Sequence, residues 1–123
     1  MLIKLRHCSE VDKEQTLSRR QYAHTNHYDN TICVADAFWD LPMKFQVGLL
    51  AHELGHIIML EKRQTHYEPD ADKAAKQYLG VTVQYVAHTP WGEDLQYLNK
   101  RDLTRFRSKV SFDPKRNTIT FYP

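Results

Sequence analysis

Residues 42–62 read PMKFQVGLLAHELGHIIMLEK, and this stretch decides how the rest of the chain is interpreted. Pro42 suits the first turn of a helix, and at about 100° per residue the apolar side chains surround nearly the whole helix. A helix that is apolar on all sides is buried between layers, so we predict a buried helix here. Gly48 and Gly55 lie on one flank, where a missing side chain lets a neighbouring element approach closely.

Two histidines of this helix, His52 and His56, are one turn apart, and Glu53 lies between them. The spacing places both imidazoles on one face, where they can chelate one metal ion. Glu53 points about 100° away from His52 and can reach a metal-bound water without being a ligand. Buried imidazoles need partners, because an unpaired buried polar group costs about 1–3 kcal/mol. We therefore predict a metal site; the alternative is that each imidazole hydrogen-bonds a carbonyl in the core.

The third ligand is predicted on the next helix, which Pro69 opens and Gly80 ends. Glu68 and Asp72 share the apolar stripe of that helix, and buried carboxylates are costly unless they are paired or bound to metal. A catalytic zinc takes three protein ligands and keeps one position open. We predict Glu68 as the ligand, held at the N-cap by Pro69, and Asp72 as the acceptor that orients a ligand imidazole. The alternatives for the third ligand are Asp72, His66 and His88.

The remaining chain mixes helical and strand patterns without regular alternation, which predicts an α+β fold in one domain, residues 1–123. Beside the two helices above, helices are predicted at residues 9–22 and 99–109. Strands are predicted at residues 31–35, 81–85, 110–112 and 118–122. Residues 24–30 and 89–92 are predicted to be loops, and residues 113–117 a turn.

Charge is unevenly distributed along the 123 residues. Residues 1–98 carry ten Lys or Arg against thirteen Asp or Glu, whereas residues 99–123 carry seven against two, so the overall charge is only +2. The basic segment, residues 99–123, can bind nucleic acid or an acidic partner, but we favour a solvated face, so nucleic acid is not required.

No apolar run suits a membrane span or a secretory signal, and the two cysteines suggest no disulfide framework. We therefore expect a cytoplasmic protein without membrane contact; its oligomeric state is not indicated.

The run from His52 to His56, followed twelve residues later by Glu68-Pro-Asp-Ala-Asp72, resembles the gluzincin-type zinc metallopeptidases. It is most similar to the small ImmA/IrrE-like proteins, the minigluzincins and the catalytic core of the Ste24/HtpX-like peptidases, over about residues 31–80. The resemblance implies a zincin-like fold, in which the active-site helix and the next, glutamate-bearing helix pack against a small mixed sheet. It implies one Zn²⁺ held by His52, His56 and Glu68, with Glu53 as general base. It also implies that the strand at residues 31–36 is the sheet edge along which a substrate lies.

These observations predict a zinc metallopeptidase, a hydrolase acting on a peptide or protein substrate. The candidates for stabilising the oxyanion of the transition state are Tyr67, His66, Tyr85 and His88. The alternative is a catalytically silent zinc-binding regulatory domain whose basic segment binds a partner. A third hypothesis is latency, with residues 110–123 folded back over the cleft.

Overall fold

The computed structural model describes residues 2–7, 22–26, 31–62, 67–87, 94–113 and 115–121, and these form an α+β fold, as predicted. Within these ranges the α-helices are α1 (Met43–Glu61), α2 (Glu68–Ala74) and α3 (Lys100–Lys109). The strands are β1 (Leu2–His7), β2 (Ala23–Asn26), β3 (Thr31–Val34), β4 (Gln84–Ala87), β5 (Asp94–Tyr97), β6 (Val110–Asp113) and β7 (Thr118–Phe121). A short 3₁₀ helix, Asp36–Asp40, connects β3 to α1.

Five of the strands form one mixed sheet in the order β2-β3-β1-β7-β6. β1 runs parallel to β3 and antiparallel to β7, while β2 runs antiparallel to β3. β4 and β5 form a separate antiparallel pair. None of the helices in the described ranges is long and apolar enough to cross a membrane.

The predicted buried helix is confirmed as α1, in which every residue from Val47 to Ile58 is buried. It packs against α2, α3, β2 and β5. Both of its glycines allow close approach, as expected. A Cβ at Gly48 would lie 2.6 Å from the backbone nitrogen of Tyr97, and one at Gly55 would lie 2.7 Å from the carbonyl carbon of Ala71.

The ends of α2 agree with the sequence in part. Gly80 closes the segment in the left-handed conformation, with φ at 72°, but residues 75–79 form a π-helical turn before it. The N-cap is Tyr67 and not Glu68, which is the first residue of the helix. Pro69 is tolerated there because the first-turn N–H groups have no partner within the helix.

Several strand predictions need correction. Residues 24–26, predicted as loop, belong to β2, because pairing with β3 imposes an extended conformation. Val81 and Val83 are buried and Thr82 is exposed, as the alternation predicts, but ladder pairing begins only at Gln84. β1 and β5 were not predicted. The helix predicted at residues 9–22 and the loop at 89–92 fall almost wholly outside the described residues.

The prediction that residues 31–36 form the sheet edge is wrong. β3 lies between β2 and β1, and all four of its residues are buried. An unbroken apolar run is typical of a strand covered on both faces, which favours an internal position. Of the strands in the described ranges, β2 is the outermost on this side of the sheet.

The basic segment is an integral part of the fold. Asn99 caps α3 by accepting a hydrogen bond from the Asp102 N–H at 3.0 Å, as predicted. β7 lies inside the sheet between β1 and β6, with Ile119 and Phe121 fully buried. Residues 110–113 and 118–121 therefore belong to the sheet, and the hypothesis that this segment folds back over a cleft is wrong for them.

Candidate metal centre

The two histidines of α1 face each other in the interior. Only 1% of His52 and 7% of His56 is exposed. Their ring centroids are 4.8 Å apart, and the ring planes are nearly perpendicular at 88°. The one-turn spacing has thus brought two imidazoles together at one buried place, as the sequence predicts.

Helix α2 places a carboxylate beside the first of these rings. Because Gly55 has no side chain, α2 approaches α1 at Ala71, and the next residue, Asp72, reaches His52. The distance between His52 Nδ1 and Asp72 Oδ1 is 2.7 Å. The contact is the one that the predicted orienting role of Asp72 requires.

This contact defines the chemistry of the His52 ring. A carboxylate that is ionised can only accept a hydrogen bond, so beside such a carboxylate Nδ1 is the ring nitrogen that carries the proton. In the neutral imidazole, Nε2 then holds the lone pair that a metal ion would use. The orientation of His52 is therefore set by a residue of another helix.

Tyr85 of β4 extends the same arrangement. Its hydroxyl donates to Asp72 Oδ2 and lies 3.4 Å from His52 Nδ1. This places the hydroxyl on the Nδ1 side of the ring, away from Nε2. Tyr85 is thus positioned to hold Asp72, and the oxyanion stabilisation for which it is one of four candidates stays a prediction.

Glu53 is also buried, and its carboxylate meets the outermost strand. Thr25 of β2 donates from its hydroxyl to Glu53 Oε2 at 2.6 Å. The same hydroxyl lies 3.2 Å from the Glu53 carbonyl oxygen. Thr25 was not predicted as a site residue, because its partner is 28 residues away along the chain.

The structure says less about the remaining predicted site residues. Glu68 begins α2 one turn before Asp72, and its side chain lies outside what the structure describes. His66 and His88 also lie outside the described residues. Tyr67 precedes α2 and is 75% exposed, so its side chain is largely in solvent.

His52 and His56 fit a transition-metal site in donor chemistry. Both are buried imidazoles on one helix face, and a carboxylate fixes one of them, as is usual for metal-binding histidines. Among the side chains that the structure describes, no three His, Cys, Asp or Glu form a metal-binding group. Glu68, the predicted third ligand, is not among those side chains, so its assignment stays a prediction.

No family model, curated protein or solved structure matches this chain.

Proposed function

We propose that the chain is a zinc-dependent metallopeptidase with a zincin-like arrangement of α1 and α2 on the mixed sheet. The contact between His52 and Asp72 carries the proposal, because it orients a buried imidazole whose other nitrogen is suited to bind metal. His56 lies beside the His52 ring, and Glu53 is the residue after His52 in the chain. A histidine pair, an orienting carboxylate and a neighbouring carboxylate are the parts that metal-assisted hydrolysis needs.

The metal would be held by His52, His56 and Glu68. Zinc bound by such residues lowers the pKa of its water toward ~7 and polarises a substrate carbonyl. Asp72 and Tyr85 keep His52 in the required orientation. All five residues come from α1, α2 and β4, so the proposed site depends on how these three elements pack.

Glu53 would act as the general base. Its carboxylate accepts a proton from the attacking water and passes it to the amine that leaves when the C–N bond breaks. Thr25 restrains Oε2 of this carboxylate through its 2.6 Å hydrogen bond. Burial and this hydrogen bond hold the base in one place before any substrate arrives.

The substrate would lie along β2, which carries Thr25 and is therefore next to Glu53. An extended peptide that pairs with the backbone of an outermost strand gains affinity without strong sequence selectivity. This replaces β3 with β2 as the proposed substrate strand. Backbone pairing along β2 fits a broad class of substrates, namely unfolded or extended polypeptide segments.

Glu53→Gln tests this proposal. We expect the variant to bind zinc as the wild type does but to lose about 10²–10⁴-fold in peptide cleavage, the usual contribution of a general base. Zinc is measured by metal analysis of the purified protein, and cleavage with unfolded casein and a quenched peptide library.

Glu61→Gln is the matched control, since Glu61 is an exposed glutamate at the end of the same helix. It should leave cleavage unchanged. Full turnover by Glu53→Gln would contradict the mechanism. A zinc-loaded wild type that cleaves neither substrate would favour the regulatory alternative.

A further inference from the structure

A cavity of about 540 Å³ lies between the first half of α1, the end of α3 and the sheet. Its floor is made of buried apolar side chains from these elements, namely Leu5, Val47, Leu50, Phe106, Val110 and Ile119. Leu50 points about 160° away from His52 around α1, counting 100° per residue. The cavity is therefore on another face of the helix from the proposed metal centre and is independent of the proposed function.

Exposed apolar side chains gather at the mouth of this cavity. Trp39 is 44% exposed, Met43 50% and Phe112 42%. All three line the cavity, although they come from three separate elements. Scattered single exposed apolar residues are ordinary, but several that converge on one cavity are typical of a binding site.

The charged residues that the structure describes in the cavity lining are both cations. Arg107 and Lys109 line its edge and are exposed, and none of the lining residues within the described ranges is Asp or Glu. Neither cation has a carboxylate partner among the residues that the structure describes. A ligand with an apolar body and one anionic group would complement both the floor and the edge.

We propose that this cavity binds a small amphipathic carboxylate, with its aliphatic or aromatic body on the apolar floor and its carboxylate near Arg107 and Lys109. The volume falls within the roughly 300–1,000 Å³ that is usual for small-molecule sites. The two cations select an anion over a neutral or cationic molecule of the same length.

Calorimetric titration of the full chain with dodecanoate tests the proposal. We expect saturable binding of one dodecanoate per chain. Dodecyltrimethylammonium, which has the same chain length and the opposite charge, should bind at least about tenfold more weakly, because Arg107 and Lys109 repel it. Absence of saturable dodecanoate binding, or equal affinity for the two probes, would overturn the proposal.

Two pairs of variants locate the binding. Arg107→Gln/Lys109→Gln should weaken dodecanoate binding about fivefold or more, whereas Lys100→Gln/Arg101→Gln, at the exposed start of α3, should not. Met43→Glu should also weaken dodecanoate binding, since it brings a negative charge to the mouth of the cavity. This variant should stay folded, because an acid in the first turn suits the helix dipole. Its control with the same charge change is Lys44→Gln, outside the cavity.

The same variants can contradict binding in this cavity. If each test variant binds dodecanoate as tightly as its control, while circular dichroism shows both folded, the ligand binds elsewhere and the proposal is wrong.

Discussion

Asp72 uses both of its carboxylate oxygens at the proposed metal centre. Oδ1 contacts His52 and Oδ2 accepts from Tyr85, so the carboxylate is held from two sides. An asparagine has the same shape, but its NH₂ group cannot accept a hydrogen bond. An amide that presented this group to His52 would favour the proton on Nε2, the nitrogen that we propose binds the metal. Asp72 can therefore accept from both neighbours at once, whereas an asparagine has one acceptor oxygen for the two.

Asp72→Asn is expected to weaken zinc binding about 10–100-fold, the usual effect of losing an orienting partner of a ligand histidine. The measurement is competition for zinc against a chromophoric chelator. Asp70→Asn is the control, because Asp70 accepts from the Tyr67 N–H and lies about 160° around α2 from Asp72. Glu68→Ala, which removes a proposed ligand, should weaken binding further. Zinc affinity equal to that of the wild type in Asp72→Asn would contradict the assigned role.

Thr25→Val is expected to destabilise the metal-free protein by about 1–3 kcal/mol, because valine keeps the shape but cannot donate to the buried Glu53 carboxylate. Thr25→Ser keeps a hydroxyl and should retain most of the stability. Urea unfolding of the three proteins gives the comparison. Equal stability of the valine and serine variants would show that the hydrogen bond contributes nothing.

At the scale of the elements, the sequence predicted what local residues determine. Pro42, Gly80 and Asn99 are adjacent to the helices that they begin or end, so these boundaries were predicted closely. β1 also had a readable signal, since Ile3 and Leu5 are buried and alternate with exposed Lys4 and Arg6. This signal was missed.

β2 had no such signal. Its residues, Ala-His-Thr-Asn, are mostly polar or weak strand formers, and they are extended because they pair with β3. The edge position of residues 31–36 was implied by the resemblance alone, and the order of strands in a sheet is a long-range property that these residues do not determine. Thr25 was missed for the same reason. For the site itself, the sequence predicted the residues on α1 and α2 but not the strand that lies against them.

Gly55→Ala is expected to separate α1 from α2. The new Cβ would overlap the backbone of Ala71, so α2 must shift, at a cost of about 1–3 kcal/mol. Asp72 would move with α2 and lose its contact with His52, so zinc affinity should fall as well. Both quantities are measured, the first by urea unfolding and the second by chelator competition.

Gly80→Ala is the control for this variant. No atom lies within 4 Å of the added Cβ, but the positive φ makes alanine unfavourable by about 1–2 kcal/mol. It should therefore lower stability without lowering zinc affinity. If Gly55→Ala lowers stability but leaves zinc affinity unchanged, the packing of α1 on α2 does not determine zinc affinity.

For the whole molecule, the basic segment belongs to the fold as α3, β6 and β7. Its charge therefore lies on the surface of the folded domain and not on a separable tail. The regulatory alternative is consequently better tested by neutralising exposed residues such as Lys100 and Arg101 than by truncation, which would remove core residues.

Ile119→Ala is expected to destabilise the protein by about 2–5 kcal/mol, because Ile119 is fully buried in a strand inside the sheet. Leu2→Ala is the matched control on the neighbouring strand; Leu2 is 62% exposed, so the change should stay within about 0.5 kcal/mol. Chemical denaturation measures both. A small effect at Ile119 would mean that β7 contributes little to the core.

The position of β1 between β3 and β7 has a consequence for the order of folding. The contacts that assemble the proposed site span short stretches of chain, 20 residues from His52 to Asp72 and 28 from Thr25 to Glu53. The pairing of Leu2 with Thr120, by contrast, joins residues 118 positions apart. Closing that longer loop costs roughly 1.5 kcal/mol more in chain entropy, and such distant contacts form slowly. During refolding we therefore expect the helices and β2 around the histidine pair to assemble before β1 and β7 close the sheet.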